Sequence, residues 1–219
     1  MQHPVFPTIL FCDNHILIAI KPPGMLTQPD HTSNKDLETF AKAWVKQKFQ
    51  KPGNVFLHAI HRIDRPVSGL VVFARTSKAL SRLNEQIRNK KIQRFYLAQV
   101  EGQLHKDGIL EHYLVHQDHY AEVCSQHVKD AKLARLSYHI LQSSSHSTTV
   151  HVELETGRYH QIRAQFAAIG HPIEGDIRYG SKTSQGLGIC LQCIEMSFEH
   201  PVTQEMMTFD LHQALKRSS

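Results

Sequence analysis

Between about Ile109 and Glu155 the chain is a succession of short β-type runs, and their alternation limits the possible folds more than any other feature. Val150, Val152 and Leu154 fall on one face of such a run, and His151, Glu153 and Glu155 on the other. This is the period-two pattern of a strand buried on one side. Half-buried strands in series belong to antiparallel sheets, which can leave one face to water. Gly69 to Ala74 reads differently, as a continuous apolar run suited to a strand covered on both faces. Ile9 to Ile20 reads as two strands around a turn at Asp13-Asn14-His15. Phe95 to Val100 is strand-like, and Cys190 to Leu211 holds two more strands.

Helices are few. Leu37, Phe40, Ala41, Trp44 and Val45 recur at helical spacing behind Ser33-Asn34-Lys35-Asp36, which reads as a capping box. Pro52-Gly53 ends that segment. Ser77 is placed to cap a second helix with Leu80, Leu83 and Ile87 on its inner stripe. A short third helix follows the turn Thr156-Gly157-Arg158 and runs to about Ile169, with Gly170 as its left-handed terminator. Strand pairs interspersed with a few helices predict an α+β fold, a mixed and largely antiparallel sheet with a few flanking helices. No repeat, low-complexity segment or linker interrupts it, so one domain over residues 1–219 is the simplest organisation.

Composition narrows the class. A chain of 219 residues can bury a sizeable core, and 41% apolar with 21% charged residues is the balance of a soluble globular protein. No run of about 18 apolar residues is present, which excludes a spanning helix. Met1-Gln2-His3-Pro4 lacks the basic-then-apolar pattern of a signal peptide, so the expected compartment is the cytoplasm. The formal charge of +5 gives weak support for a polyanionic partner. Four cysteines without a secretory signal argue against a disulfide framework. Cys190 and Cys193 form a C-x-x-C, but no second regular ligand pair completes a zinc site. They read as two buried thiols on a strand, and no metal is expected.

Four segments could carry chemistry. His61-Arg62-Ile63-Asp64-Arg65-Pro66-Val67-Ser68-Gly69 is a shaped loop feeding a buried strand, with one carboxylate between two arginines. Flanking cations favour its ionised form and also attract phosphate, so Asp64 is a candidate nucleophile or base. The plainer reading is a salt bridge that orders the loop. Thr156-Gly157-Arg158-Tyr159-His160-Gln161-Ile162-Arg163 offers a tight turn, a helix start and basic donors. It is a sensible phosphate surface, and Arg163 could fork onto a buried carboxylate. The plainer reading is a solvated basic helix start. Tyr96 lies mid-strand opposite in sense to Phe95 and could stack on an unpaired base, although strand tyrosines are more often packing residues. Gly170-His171-Pro172-Ile173-Glu174-Gly175-Asp176, with Tyr179-Gly180, reads as a structural loop forming one wall of a cleft.

Taken together, these segments resemble the RluA family of RNA pseudouridine synthases. His61-Arg62-Ile63-Asp64 matches the family's H-R-L-D motif, Thr156 to Arg163 matches T-G-R-x-H-Q-I-R in full, Gly170 to Gly180 matches the G-H-P-I-x-G-D segment, and Lys21-Pro22-Pro23-Gly24 looks like its Lys-Pro-x-Gly turn. The resemblance spans about Ile9 to Phe209. It implies the family's catalytic fold with a central RNA-binding cleft, and isomerisation of a uridine within ribosomal RNA or tRNA, with no cofactor and no metal. It implies Asp64 as the catalytic group, Arg163 as its paired cation and Tyr96 as the ring against the target base. Arg62 takes the role of the arginine that enters the RNA stack, as the need to flip a base out requires. Arg65, Arg158, His160 and Gln161 are the further RNA contacts expected.

Departures are Ile63 for the usual Leu, Pro66-Val67 where Asp-Thr is common, and Leu191-Gln192-Cys193 in place of Leu-His-Ala. The chain begins almost directly at the catalytic motifs, so a stand-alone catalytic domain is expected. It should act as a monomer with no obligate protein partner and no membrane association. The rival reading is a non-catalytic RNA-binding or ribosome-assembly factor on the same fold. A metal or redox enzyme built on Cys190, Cys193 and the 17 histidines is a third class.

Overall fold

The computed structural model describes residues 6–32, 34–184 and 186–213. In chain order the strands are β1 (Thr8–Cys12), β2 (Ile16–Lys21), β3 (His58–Ala59), β4 (Ser68–Ala74), β5 (Gln93–Glu101), β6 (Gly108–Gln117), β7 (Tyr120–Cys124), β8 (Lys132–Ser143), β9 (Ser147–Leu154), β10 (Leu191–Glu199) and β11 (Met206–Asp210). The helices named here are α1 (Leu37–Lys48), α2 (Ser77–Arg88) and α3 (Gln161–Ala168), and a 3₁₀ turn lies at Ile177–Tyr179. The class is mixed α+β with largely antiparallel pairing, as the alternation predicts. The chain divides into two compact units, residues 1–92 with 193–219, and residues 93–192. Among the described residues no helix is long and apolar enough to cross a membrane.

The first unit is built on β1-β2-β4-β10, with β11 beside β10 and β3 against β4. Ile16 to Lys21 and Ser68 to Ala74 are buried at every position, so β2 and β4 are covered on both faces. They pair antiparallel from Ile16↔Ala74 to Lys21↔Gly69. Asp13 shapes the turn before β2, accepting the amides of His15 and Ile16 at 2.7 Å each.

Both helix caps differ from the sequence reading. Asp36 caps α1, accepting the Thr39 amide at 2.7 Å, while Ser33 lies outside the described residues. Thr76, not Ser77, caps α2 through the Ala79 amide. The buried stripes also shift. In α1 Leu37, Ala41 and Val45 are buried, but Phe40 is exposed, and Glu38 takes an inner place by accepting from Lys42 and Gln28. In α2 the buried positions are Ala79, Leu83 and Gln86. Gln86 is tolerated inside because its amide meets the backbone of Glu199 with both ends, at 2.8 and 3.1 Å.

The second unit is an antiparallel sheet in the order β5-β9-β8-β6-β7. β9 alternates strictly between half-buried and buried positions, with Val150, Val152 and Leu154 inside. α3 packs on β6 and β7. Ala164 of that helix joins Leu114, Ala121 and Ala134 in a small apolar cluster. Gly170 ends the helix region at φ 83°, as expected of a left-handed terminator.

At Gly69 the neighbouring backbone leaves no room for a side chain. Its φ is 119°, and a Cβ there would fall on the Cys193 backbone, 2.6 Å from its N. Gly69→Ala is therefore expected to destabilise the protein by about 3 kcal/mol or more, through strain and overlap together. Urea unfolding monitored by circular dichroism measures the loss.

Candidate active site

Asp64 sits in a loop whose backbone is held on both sides by hydrogen bonds from one short segment. Thr27 Oγ1 donates to the Ile63 carbonyl at 2.9 Å and accepts the Ile63 amide at 3.2 Å. The Arg65 carbonyl accepts from the Gly24 amide at 2.8 Å and from Lys21 Nζ at 3.1 Å. Val67 closes the turn by donating its amide to the Asp64 carbonyl at 3.0 Å. The residues before and after Asp64 are thus fixed, and its Cα with them. The carboxylate is half-buried, while Arg62 and Arg65 are exposed. Arg65 Nε reaches back to the Gly24 carbonyl at 2.9 Å, so this arginine also braces the loop.

Lys21 has no exposed surface. Its Nζ donates to the carbonyls of Pro22, Met25 and Arg65 at 3.1, 2.6 and 3.1 Å. Three acceptors match the three N–H bonds of an ammonium. Burial lowers its pKa, the Asp64 carboxylate partly offsets this and Arg65 adds to it, for a net value of about 7. The sequence marked the Lys-Pro-Pro-Gly turn but gave Lys21 no role. The available signal was a lysine ending an otherwise apolar run.

In the second unit Arg163 is 3% exposed and lies on α3. Its guanidinium forks onto Asp176, Nε to Oδ2 at 2.6 Å and Nη2 to Oδ1 at 2.9 Å. It also lies over the Tyr179 ring, 4.9 Å from the centroid. The sequence reading gave Asp176 only a place in a structural loop, although the arginine's preference for a paired carboxylate was the available signal. Tyr179 had no assigned role. Its hydroxyl accepts the Ala121 amide at 2.8 Å and lies 3.2 Å from the Ala121 carbonyl, so it covers the outer edge of β7. Tyr96 is 5% exposed and pairs across to Val152 on the buried face of β5.

The phosphate surface expected at Thr156 to Arg163 is narrower than its sequence suggests. Gln161 is 3% exposed. Its Oε1 accepts from Thr156 Oγ1 at 2.7 Å and the Arg158 amide at 3.0 Å, and Nε2 donates to the Arg135 carbonyl at 3.1 Å. His160 is also buried, with Nδ1 2.9 Å from the Tyr179 hydroxyl. Burial and the neighbouring Arg163 and Arg178 hold its pKa down to about 3, so it is neutral near pH 7. Both residues shape the turn, and Arg158 is the exposed cation of the segment. Cys190 and Cys193 are buried, the latter within β10.

A family model described as RNA pseudouridylate synthase matches residues 15–168. The chain belongs to that family. It is of the RluA type, being 31% identical over 218 residues to the dual-specificity RNA pseudouridine synthase RluA of Haemophilus influenzae, covering 92% of this chain and 91% of that one. It is 35% identical over 176 residues to the ribosomal large subunit pseudouridine synthase D of Nitrosomonas europaea, which covers 78% of this chain. This chain spans about half the length of that relative, 49%. Among solved structures, human RNA pseudouridylate synthase domain containing 4 superposes with a TM-score of 0.77 at 19% identity, over 95% of this chain and 92% of that chain. That likeness is one of fold, and it agrees with the α+β synthase architecture.

Two outcomes follow from this geometry. Lys21 in the folded chain has a pKa of about 7, below its value in the unfolded chain. The unfolded state therefore binds more protons from about pH 7 to about pH 10.4, and stability rises with pH across that window by up to roughly 1 kcal/mol per pH unit. Urea titrations at pH 6.5 and 9.5 should show this rise in the wild type and its absence in Lys21→Met. Equal slopes would remove Lys21 as the titrating group. Asp176→Ala leaves the Arg163 cation buried without this carboxylate, and should cost about 3 to 5 kcal/mol in the same measurement.

Proposed function

We propose that this chain is an RNA pseudouridine synthase that isomerises specific uridines in structured RNA, with Asp64 as the catalytic carboxylate. The observation that carries the reading is Asp64 itself, in a motif that differs from the family's only at Ile63 and on a loop whose neighbours are pinned by Lys21, Gly24 and Thr27. A reacting group held in one place avoids the ordering cost that a mobile loop would add to the barrier. Arg163 and Tyr96 take the roles that the family resemblance gives them. Arg62 and Arg65, exposed beside Asp64, are the proposed RNA contacts of the loop. The motif residues fall in both compact units, Asp64 in the first and Tyr96 and Arg163 in the second.

The reaction is an isomerisation. The bond from the sugar C1′ to N1 of the base breaks, the base turns, and a bond from C1′ to C5 forms. C5 gives up its proton and N1 gains one, so no atom is added or lost. A carboxylate and proton transfers suffice, and the chemistry calls for no cofactor or metal. Ribosomal RNA is the leading substrate class, since relatives from Nitrosomonas europaea and Escherichia coli carry large-subunit ribosomal names. tRNA is a second substrate class within the range of the RluA family. The chain is proposed to act in the cytoplasm as a monomer.

Asp64→Asn preserves shape and removes the charge. It should lower pseudouridine formation on ribosomal RNA and tRNA by at least about 10⁴-fold while RNA affinity stays within about threefold. Pseudouridine mapping on RNA from a strain lacking the gene supplies the substrate for the assay. Undiminished product from the variant would sink the role of Asp64. Wild-type protein that binds these RNAs yet never forms pseudouridine would favour the assembly-factor reading.

A further inference from the structure

Arg94 has no role in the chemistry proposed above. It precedes Tyr96 by two residues on β5, so both side chains leave the same face of the strand, about 7 Å apart. Arg94 is half-buried, and its guanidinium stands over Gly157 in the turn that follows β9. A Cβ on Gly157 would lie 2.8 Å from Arg94 Nη1, 3.3 Å from Nη2 and 3.5 Å from Cζ. Gly157 is not among the glycines with positive φ, so no left-handed conformation requires glycine there. What the missing side chain provides is a slot for the guanidinium. Gly157 itself is exposed, as is Arg158 after it, so the slot lies at the surface beside a second cation.

The fold makes no use of the charge it places in this slot. Arg135 meets Glu111 and Glu155, and Arg163 meets Asp176, but Arg94 forms no ion pair among the described residues. Its Nε is buried and has no hydrogen-bond partner among the described residues. A buried donor without an acceptor opposes folding, and native chains keep few of them. A guanidinium that is fitted into a slot, short of acceptors and without a counter-ion, suits an anion from outside the chain.

We infer that Arg94 binds a backbone phosphate of the RNA, one that flanks the nucleotide whose base lies at Tyr96. The inference rests on the reading of the chain as an RNA pseudouridine synthase and adds a binding residue to that site. The phosphates on either side of a base are one sugar away from it, a separation of the same order as the step along β5 from Tyr96 to Arg94. A planar fork gives a phosphate two N–H bonds, which a lysine does not. The contact carries no base information, so it positions the strand and leaves selection to other groups. A carboxylate of an acidic peptide has the same charge, but the aromatic ring on the same face of β5 favours a nucleotide.

The test uses the full chain and a hairpin RNA with one uridine in its loop. Two further hairpins replace the phosphate before or after that uridine by an uncharged methylphosphonate. Arg94→Met should weaken binding to the unmodified hairpin by about 10- to 100-fold, the range for a hydrogen bond to a charged group. It should also lower the slope of log affinity against log salt by about 0.7, the value for one phosphate contact on a single strand. Arg94→Lys keeps the charge and should keep the slope, with an intermediate affinity. Wild type should lose a similar factor on one methylphosphonate hairpin, and Arg94→Met should lose nothing further on that one. Gly157→Ala should displace the guanidinium and reproduce the Arg94→Met loss, yet cost less than about twofold when added to Arg94→Met. Equal Arg94→Met losses on all three hairpins, an unchanged salt slope, or additive losses for the Gly157 and Arg94 pair would each overturn the contact. So would wild type binding all three hairpins alike, a comparison that needs no variant to fold. Pseudouridine formation on ribosomal RNA and tRNA is scored separately. If none forms while Arg94 remains coupled to one phosphate, the catalytic reading fails and the contact stands.

Discussion

The ammonium of Lys21 holds the loop from which the proposed chemistry starts. It is fully buried and donates to three carbonyls, that of Pro22 in its own Lys-Pro-Pro-Gly turn, that of Met25 just after it, and that of Arg65 in a loop 44 residues further along. A buried charge is tolerated only where its hydrogen bonds are satisfied and a counter-charge is at hand. The three carbonyls meet the first condition, and the carboxylate of Asp64 contributes to the second. The same arrangement that makes the lysine tolerable therefore fixes the residue following Asp64. Thr27 fixes the residue before it. The strands β2 and β4 supply the frame, because Lys21 pairs with Gly69 in a register that is buried along its whole length.

The second unit follows the same logic with another buried cation. Arg163 is buried on α3 and forks onto Asp176, and its guanidinium covers the ring of Tyr179. The Tyr179 hydroxyl then meets both backbone groups of Ala121 and Nδ1 of His160. One ion pair thereby ties the helix, the Gly170 to Gly180 loop and the edge strand β7. Burial, with the Arg163 and Arg178 cations nearby, keeps His160 uncharged. The turn from Thr156 to Gln161 is closed by Gln161, and the exposed residues there are Gly157, Arg158 and Tyr159.

Much of this was legible in the sequence. The alternation in β9 and the continuous apolar run of β4 appear as strands of the expected kinds, because side-chain period and burial are linked directly. The order of the motifs was sufficient to place the chain beside the RluA synthases, a placement the family match supports. What escaped was decided by individual hydrogen-bond partners, near and far in sequence, that period does not encode. Gln86 reads as polar and exposed until Glu199 meets its amide, and Phe40 reads as core until Glu38 is held inside by Gln28 and Lys42. The caps of α1 and α2 moved because Asp36 and Thr76 stand one residue before the first helical turn and reach the right amides.

The sequence by itself determined the family, the α+β class and the segments that carry the chemistry, since these depend on residue type, order and period. Only the tertiary structure decided that Lys21 is buried beneath the Asp64 loop, that Asp176 receives the fork of Arg163, and that Tyr159 rather than His160 or Gln161 faces outward. The physical reason is common to all three. Whether a polar side chain serves the interior or the solvent depends on which donors and acceptors the fold brings within about 3 Å of it, and a linear order of residues does not contain that distance.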